Sequence, residues 1–437
     1  MIMKDSGIDW IGKIPANWAK GKLKHVYEIY TGDSIKDEDK DLYTSPDNAI
    51  PYISTKDIDV ETKCINYENG LYIPVANNKF KIAPKDSFLL CVEGGSAGKK
   101  IAYTTTDVCF VNKLCCFRAK QQSNSKFMYF YCQCDAFLID FDLNMTGLIG
   151  GVSQNTIKNI DILIPPESEQ KIIAYHLDKE CARIDSLVEK QRSIIEKLKE
   201  YKKSVITETV TRGLNPTAPM KDSGIEWIGK IPAHWKTCKL QTVSDIFGRI
   251  GFRGYTQNDL VDEGEGAITL SPSNILDCYT TYAKCSYLSW DKYNESPEIQ
   301  IKNNDVIFVK TGSSYGKSGL VINLPIEATI NPQLIVFKNI TINPKLFLYI
   351  LNSSTIDYQT QITVVGGTIP TMSQEKIKKF IFVLPDTKEQ IDILTYLDQR
   401  CGAIDSIIEK REQMIKLLLE YKRAFIYESV TGKKDFQ

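Results

Sequence analysis

Three histidines in 437 residues, no CxxC pair among twelve cysteines, no net charge and no membrane-length apolar run each remove a class of function. With so few histidines, an imidazole-based acid/base centre or a histidine-rich metal site is hard to assemble. The cysteines are scattered, with Cys115 beside Cys116 and Cys132 one residue from Cys134. That pattern reads as reduced, buried thiols rather than a disulfide framework or zinc site. Lys plus Arg and Asp plus Glu both number 54. Bulk electrostatics is therefore not what holds this chain to a nucleic acid, although a local basic face remains open. No apolar run approaches the roughly 18 residues that a membrane span needs. The opening MIMKD shows neither a signal core nor an Arg-rich presequence, so the expected location is the cytoplasm, with no membrane partner.

Catalytic signatures are scarce too. No Asn/Asp-Pro-Pro-aromatic box of an amino-methyltransferase occurs, because Pro165-Pro166 lies between Ile164 and Glu167, and no HExxH appears. A nucleotide-binding P-loop needs four residues between its glycines and a helix after its lysine. Gly94 to Gly98 and Gly312 to Gly316 enclose three, and a β-like segment follows each. No catalytic or metal-binding residue is therefore assigned.

What is present is a long-range repeat. MKDSGIDWIGKIPANW at residues 3–18 returns at residues 220–235 as MKDSGIEWIGKIPAHW, with two changes. Residues 165–211 match residues 385–431 at 21 of 47 positions without a gap. Such self-similarity makes half the chain the unit of folding, a variable body between a fixed head and a fixed tail. Two units of this size each suffice to bury a core. The bodies, rich in Tyr, Thr, Ile, Gly, Pro and Asn, read as short strands and turns.

The tails have helical period. With Leu177 at heptad position a, the a sites are Leu177, Ile184, Gln191, Leu198 and Val205, and the d sites include Leu187, Ile194 and Tyr201. The second copy places Leu397, Ile404, Arg411, Leu418 and Phe425 at a, with Ile407, Met414 and Tyr421 at d. This spacing predicts two long helices paired as a coiled coil, bounded by Pro165 and Pro385 before and by Gly213 and Gly432 after. Similar units packed through similar helices adopt a pseudo-two-fold that runs the helices antiparallel. The expected fold is α/β (α+β), with bodies at 1–164 and 213–384 and helices at 165–212 and 385–432. Asp178, Asp185, Glu189, Asp398, Asp405 and Glu409 fall on outward faces in both copies, where packing makes no demand, and are candidates for binding a partner twice.

Within the bodies one likeness survives: FLLCVEGGSAGKKIAY at residues 88–103 against VIFVKTGSSYGKSGLV at residues 306–321. Both read strand, Gly-rich loop, strand. One reading lets the backbone approach a phosphate, with Ser96 and Ser314 donating hydrogen bonds and Lys99, Lys100 and Lys317 supplying charge. The other is a hairpin turn with solvated lysines. Lys56, Lys113, Arg249, Arg253, Ser271 and Asn274 are further loop candidates. Arg249 and Arg253 have the chemistry for bidentate guanine contacts, with Tyr255 near enough in sequence to stack.

The order body, EQ helix, repeated box, body, EQ helix resembles the specificity subunit of a type I DNA restriction-modification system. WIGKIPANW, ILIPPESEQKIIAYHLD, FVLPDTKEQIDILTYLD and EYKKSVITETVTRGL carry the resemblance across essentially the whole chain. It implies two mixed α/β target recognition domains, each reading half of a split double-stranded DNA site. It also implies helices that set the spacing and dock two methyltransferase (modification) subunits, with restriction subunits in the full complex. No cofactor is expected on this chain, because S-adenosylmethionine and ATP with Mg are used by the partners. A coiled-coil scaffold without DNA readout is the alternative, and it leaves two divergent bodies without work.

Overall fold

The structure, a computed structural model, describes residues 2–147, 150–249, 251, 254–364 and 370–436. The strand Phe88–Cys91 shows how each body is layered. Successive strand side chains point to opposite faces, so an all-apolar strand needs cover on both. Phe88 and Leu90 join the cluster that includes the body helices, whereas Leu89 and Cys91 join a second cluster against another sheet. Val306–Val309 repeats the pattern, Val306 and Phe308 to one side, Ile307 and Val309 to the other.

The chain divides into two compact units, residues 1–191 with 412–437 and residues 192–411. Each unit thus combines one body, the first half of the long helix after it and the last half of the other long helix. In the first, the main sheet has the order Tyr27–Thr31, Leu114–Ala119, Phe88–Cys91, Ile101–Tyr103, antiparallel throughout. A second sheet, Tyr72–Pro74, Ala49–Ile53, Val108–Phe110, Ile82–Ala83, contains one parallel pair. In the second unit the main sheet begins Asp245–Gly248, Leu334–Lys338, Val306–Val309, Ser318–Leu320, and its companion sheet pairs Gly266–Leu270 in parallel with Ala328–Ile330. Both bodies enter and leave through a two-stranded gate: Ala19–Lys22 against Asp161–Ile164, and Lys236–Lys239 against Ile381–Leu384.

The long helices run Glu167–Arg212 and Thr387–Val430. They are antiparallel in each unit: Asp185 pairs with Lys422 at 2.6 Å in the first, and Asp405 with Lys202 at 2.7 Å in the second. The seam departs from the expected heptad. The a sites Leu177, Ile184, Leu397 and Ile404 are buried, but the second row is Cys181, Val188, Ile195 and Cys401, one residue beyond the expected d sites. Ile407, Met414 and Tyr421 are instead 43–45% exposed. Apolar letters occur at both rows, so periodicity could not choose between them; packing against the facing segment does. Among the described residues no helix is long and apolar enough to cross a membrane.

The repeated box closes each unit on itself. Its hairpin (Met3–Asp5 with Lys13–Pro15; Met220–Asp222 with Lys230–Pro232) leads to Trp18 or Trp235, 2% and 0% exposed. Trp18 Nε1 donates to Glu169 at 2.7 Å and Trp235 Nε1 to Glu389 at 2.6 Å. These carboxylates are the E of each EQ motif. The neighbouring glutamines tie the first turn to the residues before it, Gln170 donating to the Pro165 carbonyl and Gln390 to that of Pro385. At the helix ends Gly213 and Gly432 take φ of +74° and +69°, the left-handed turn glycine permits. A Cβ on Gly432 would lie 2.3 Å from Pro15, and one on Gly213 3.0 Å from Trp235. Head and tail recur together because they are two halves of one structural lock.

Candidate nucleic-acid interface

Strand direction gathers the loops. Tyr27–Thr31 and Phe88–Cys91 both run antiparallel to Leu114–Ala119, so both finish where that strand begins, with Thr31 opposite Cys115 and Cys91 opposite Leu114. Residues 32–36, 92–100 and 111–113 therefore share one end of the main sheet. Residues 150–152 lie on it too, through Gly94 N–H to Gly150 O at 2.8 Å and Val152 N–H to Val92 O at 2.9 Å. The second unit repeats this at residues 310–317 and 331–333, with Gly312 N–H to Pro370 O at 3.0 Å and Met372 N–H to Lys310 O at 2.9 Å. Both Gly-rich loops have positive φ at each end, +88° and +73° at Gly94 and Gly98, +102° and +85° at Gly312 and Gly316.

Those loops spell GGSAG and GSSYG, the G-x-S-x-G letters of a nucleophile elbow. An elbow needs a helix after the serine. Here the strands Ile101–Tyr103 and Ser318–Leu320 follow, which also disposes of a P-loop. Among the described residues no histidine hydrogen-bonds Ser96 or Ser314; the one histidine contact of this kind is His234 to Glu389.

The expected contact residues separate by role. Lys99, Lys113 and Ser314 are exposed and Ser96 half-buried at the shared end. Lys100 instead donates to the Thr55 carbonyl at 2.6 Å, and Lys317 donates to the Ile275 carbonyl. Both ammonium groups tie the Gly-rich loop to a neighbouring 3-10 turn, a partner that lies over 40 residues away and that no local pattern displays. In those turns Asp57 accepts from Ser54 N–H at 2.8 Å and buried Asn274 from Ser271 N–H at 3.0 Å, so Ser271 and Asn274 act as caps, while Lys56 is exposed. Arg249 is 5% exposed rather than open to solvent. It donates to the Ile330 carbonyl and to Thr329 Oγ1, both at 3.2 Å, and stacks on Tyr255 with 5.2 Å to the ring centre. It ties the end of its own strand to the companion strand Ala328–Ile330. Arg253 lies outside the described residues.

The outward helix carboxylates divide likewise. Asp185 and Asp405 form the inter-helix pairs above. Asp178 pairs with Lys126, and Asp398 with Lys345 at 2.8 Å and with the Tyr349 hydroxyl at 2.9 Å, so these four serve intramolecular contacts. Glu189 and Glu409 are exposed and form no salt bridge among the described residues.

One cluster escaped sequence spacing: His234, Asp386 and Glu389 bring ligand atoms within 4.8 Å of one another. The geometry is accounted for without an ion. Glu389 accepts from Trp235, His234 pairs with Glu389 at 2.8 Å, and Asp386 caps the helix through Glu389 N–H at 3.0 Å.

The chain matches the family described as Type I restriction modification DNA specificity domain over residues 15–208 and 235–417. It is 22% identical to the specificity subunit of the type I restriction enzyme MjaVIII of Methanocaldococcus jannaschii, across 96% of this chain and 94% of that one. It is likewise 22% identical to the EcoKI specificity subunit of Escherichia coli, across 91% of this chain and 84% of that one. A solved structure concerned with complex assembly and conformational transition of the type I R-M system contains a chain of the same fold, with TM-score 0.70 and 16% identity, covering 96% of this chain and 99% of that one.

Proposed function

This chain belongs to the type I restriction-modification DNA specificity family, and on that premise we propose that its two units each read one half of a split, asymmetric double-stranded DNA site. The observation that carries this is what the units share and what they do not. Shared positions are the ones with structural partners: the Trp–Glu lock, the lysine tie to the 3-10 turn, and the glutamines Gln154 and Gln374 that donate to the Ile29 and Ile246 carbonyls at 2.8 Å. Exposed positions differ, Lys113 against Gln333 at the shared sheet end and Lys56 against Ser273 in the 3-10 turns. One scaffold with two sets of loop side chains suits two different half-sites, because base edges are read by side chains while the frame only positions them.

The chain supplies recognition, and methylation and cleavage reside in partner subunits that use S-adenosylmethionine and ATP with Mg. Two methyltransferase subunits dock on the helices, where Met414, Leu417 and Tyr421 are 44–57% exposed and Glu189 and Glu409 stand outward. Methylation mapping of DNA from cells expressing this chain with its methyltransferase partner is expected to give a split, non-palindromic motif. A continuous or palindromic motif would overturn the reading. Native mass measurement is expected to find two methyltransferase subunits per chain, and charge reversal at Glu189 and Glu409 together to weaken assembly more than either alone.

The loop lysines give a second check. Lys99→Ala is expected to weaken specific and random DNA binding alike and to reduce the log–log salt slope by about 0.9. Lys100→Ala strips the Thr55 carbonyl of its donor and is expected to cost about 0.5–1.5 kcal/mol of stability in addition. Equal salt slopes for Lys99→Ala and the parent chain would make residue 99 a solvated turn lysine.

A further inference from the structure

Lys310 follows the central strand Val306–Val309 of the second body, and its backbone N–H donates to Gln333 O at 2.9 Å. The matching step in the first body is Val92, whose N–H donates to Lys113 O at 3.0 Å. The two backbone frames coincide while the lysine changes strand: Val92 is bonded to Lys113 in one unit, Lys310 to Gln333 in the other. Each unit therefore presents one lysine at this point of the shared sheet end, from opposite strands.

The two lysines differ in surroundings. Lys113 is exposed, whereas Lys310 is half-buried, and burial pushes its pKa down with no neighbouring carboxylate to restore it. Three other partly buried lysines have acceptors: Lys100 the Thr55 carbonyl, Lys338 Asp305 at 3.4 Å, Lys345 Asp398 at 2.8 Å. The Lys310 ammonium has neither hydrogen bond nor ion pair among the described residues. A partly desolvated cation without a partner costs stability, and an acceptor supplied by a ligand would offset that cost. Gln333 lies beside it, exposed, its Oε1 already accepting from Asn331 at 3.2 Å.

We propose that Lys310 is a DNA-contacting residue of the second unit, its ammonium completed by an acceptor of the bound half-site. This rests on the reading that each unit binds half a DNA site. The acceptor is an anionic or lone-pair oxygen or nitrogen of DNA, either a purine edge in the major groove, guanine O6 and N7 above all, or a backbone phosphate.

The test uses the full chain in complex with its methyltransferase partner and compares Lys310→Met, which keeps the apolar stem, with Lys310→Arg, which keeps the charge. Lys310→Met is expected to unfold at the same temperature as the parent chain or higher, yet to bind the cognate site about ten-fold more weakly. Lys310→Arg is expected to retain most of the affinity. The source of the acceptor is read from duplexes altered one base pair at a time in each half-site. A purine edge shows as lost discrimination at one pair of the second half-site, with the salt slope unchanged. A phosphate shows as an equal loss on every duplex, with the slope reduced by about 0.9. Parent-like binding and methylation by Lys310→Met on all duplexes would overturn the inference, as would a lowered unfolding temperature in both variants. If the parent complex itself showed no sequence-dependent binding, the half-site reading would fall instead.

Discussion

Trp235→Ala is expected to destabilise the second unit by about 3–5 kcal/mol, the range for deleting a large buried aromatic. The indole is 0% exposed, and three contacts converge on it. Its Nε1 donates to Glu389 at 2.6 Å, its ring lies against the turn at Gly213, and it shares a cluster with Val205, Ile206 and Val210 near the end of the first long helix. Alanine leaves a cavity and removes one donor from Glu389, which keeps its contact with His234. Denaturant unfolding followed by hydrogen exchange checks this, with protection lost in residues 192–411 while residues 1–191 keep theirs. Trp18→Ala is expected to show the converse, since Trp18 holds the same place between Glu169 and Gly432 in the first unit. A loss below about 1 kcal/mol, or equal loss of protection in both units, would refute the lock.

Replacing residues 23–160 with the corresponding body of a relative is expected to change one half of the methylated motif completely and leave the other half and the gap between them untouched. The reason lies at the gate. Lys22 pairs with Asp161 across two strands and Leu23 N–H reaches Ile160 O at 3.2 Å, so the body leaves the frame beside the point where it enters. The second gate repeats this with Leu240 N–H to Phe380 O at 3.0 Å. A segment whose ends are already joined by a strand pair is exchanged without pulling on the head box or the helices. Methylation mapping of the exchanged chain is the measurement. A motif changed in both halves would show that the bodies do not read independently.

The sequence by itself determined the repeat, the long helices with their proline and glycine boundaries, and the strand–loop–strand character of the Gly-rich segments. Each rests on a comparison within the chain or on spacing over a few residues, where the period of a helix or strand is written directly. It also marked the box and the EQ motif as fixed without showing why, because Trp18 and Glu169, and Trp235 and Glu389, lie more than 150 residues apart. Only the tertiary structure decided which apolar row of each helix is buried, since both rows carry apolar residues and the facing segment makes the choice. It also decided which charges are spent. Asp185 and Asp405 find Lys422 and Lys202 at separations of 237 and 203 residues, and Arg249 turns inward to the Ile330 carbonyl and the Thr329 hydroxyl, 81 and 80 residues on. A charged side chain advertises its chemistry in sequence but not its partner, and whether it has one is settled by which distant strand or helix the fold sets beside it. That is how Lys100 and Lys317, chosen for DNA, each also tie a Gly-rich loop to a 3-10 turn, while Lys310, unremarked in the sequence, has no ion pair among the described residues.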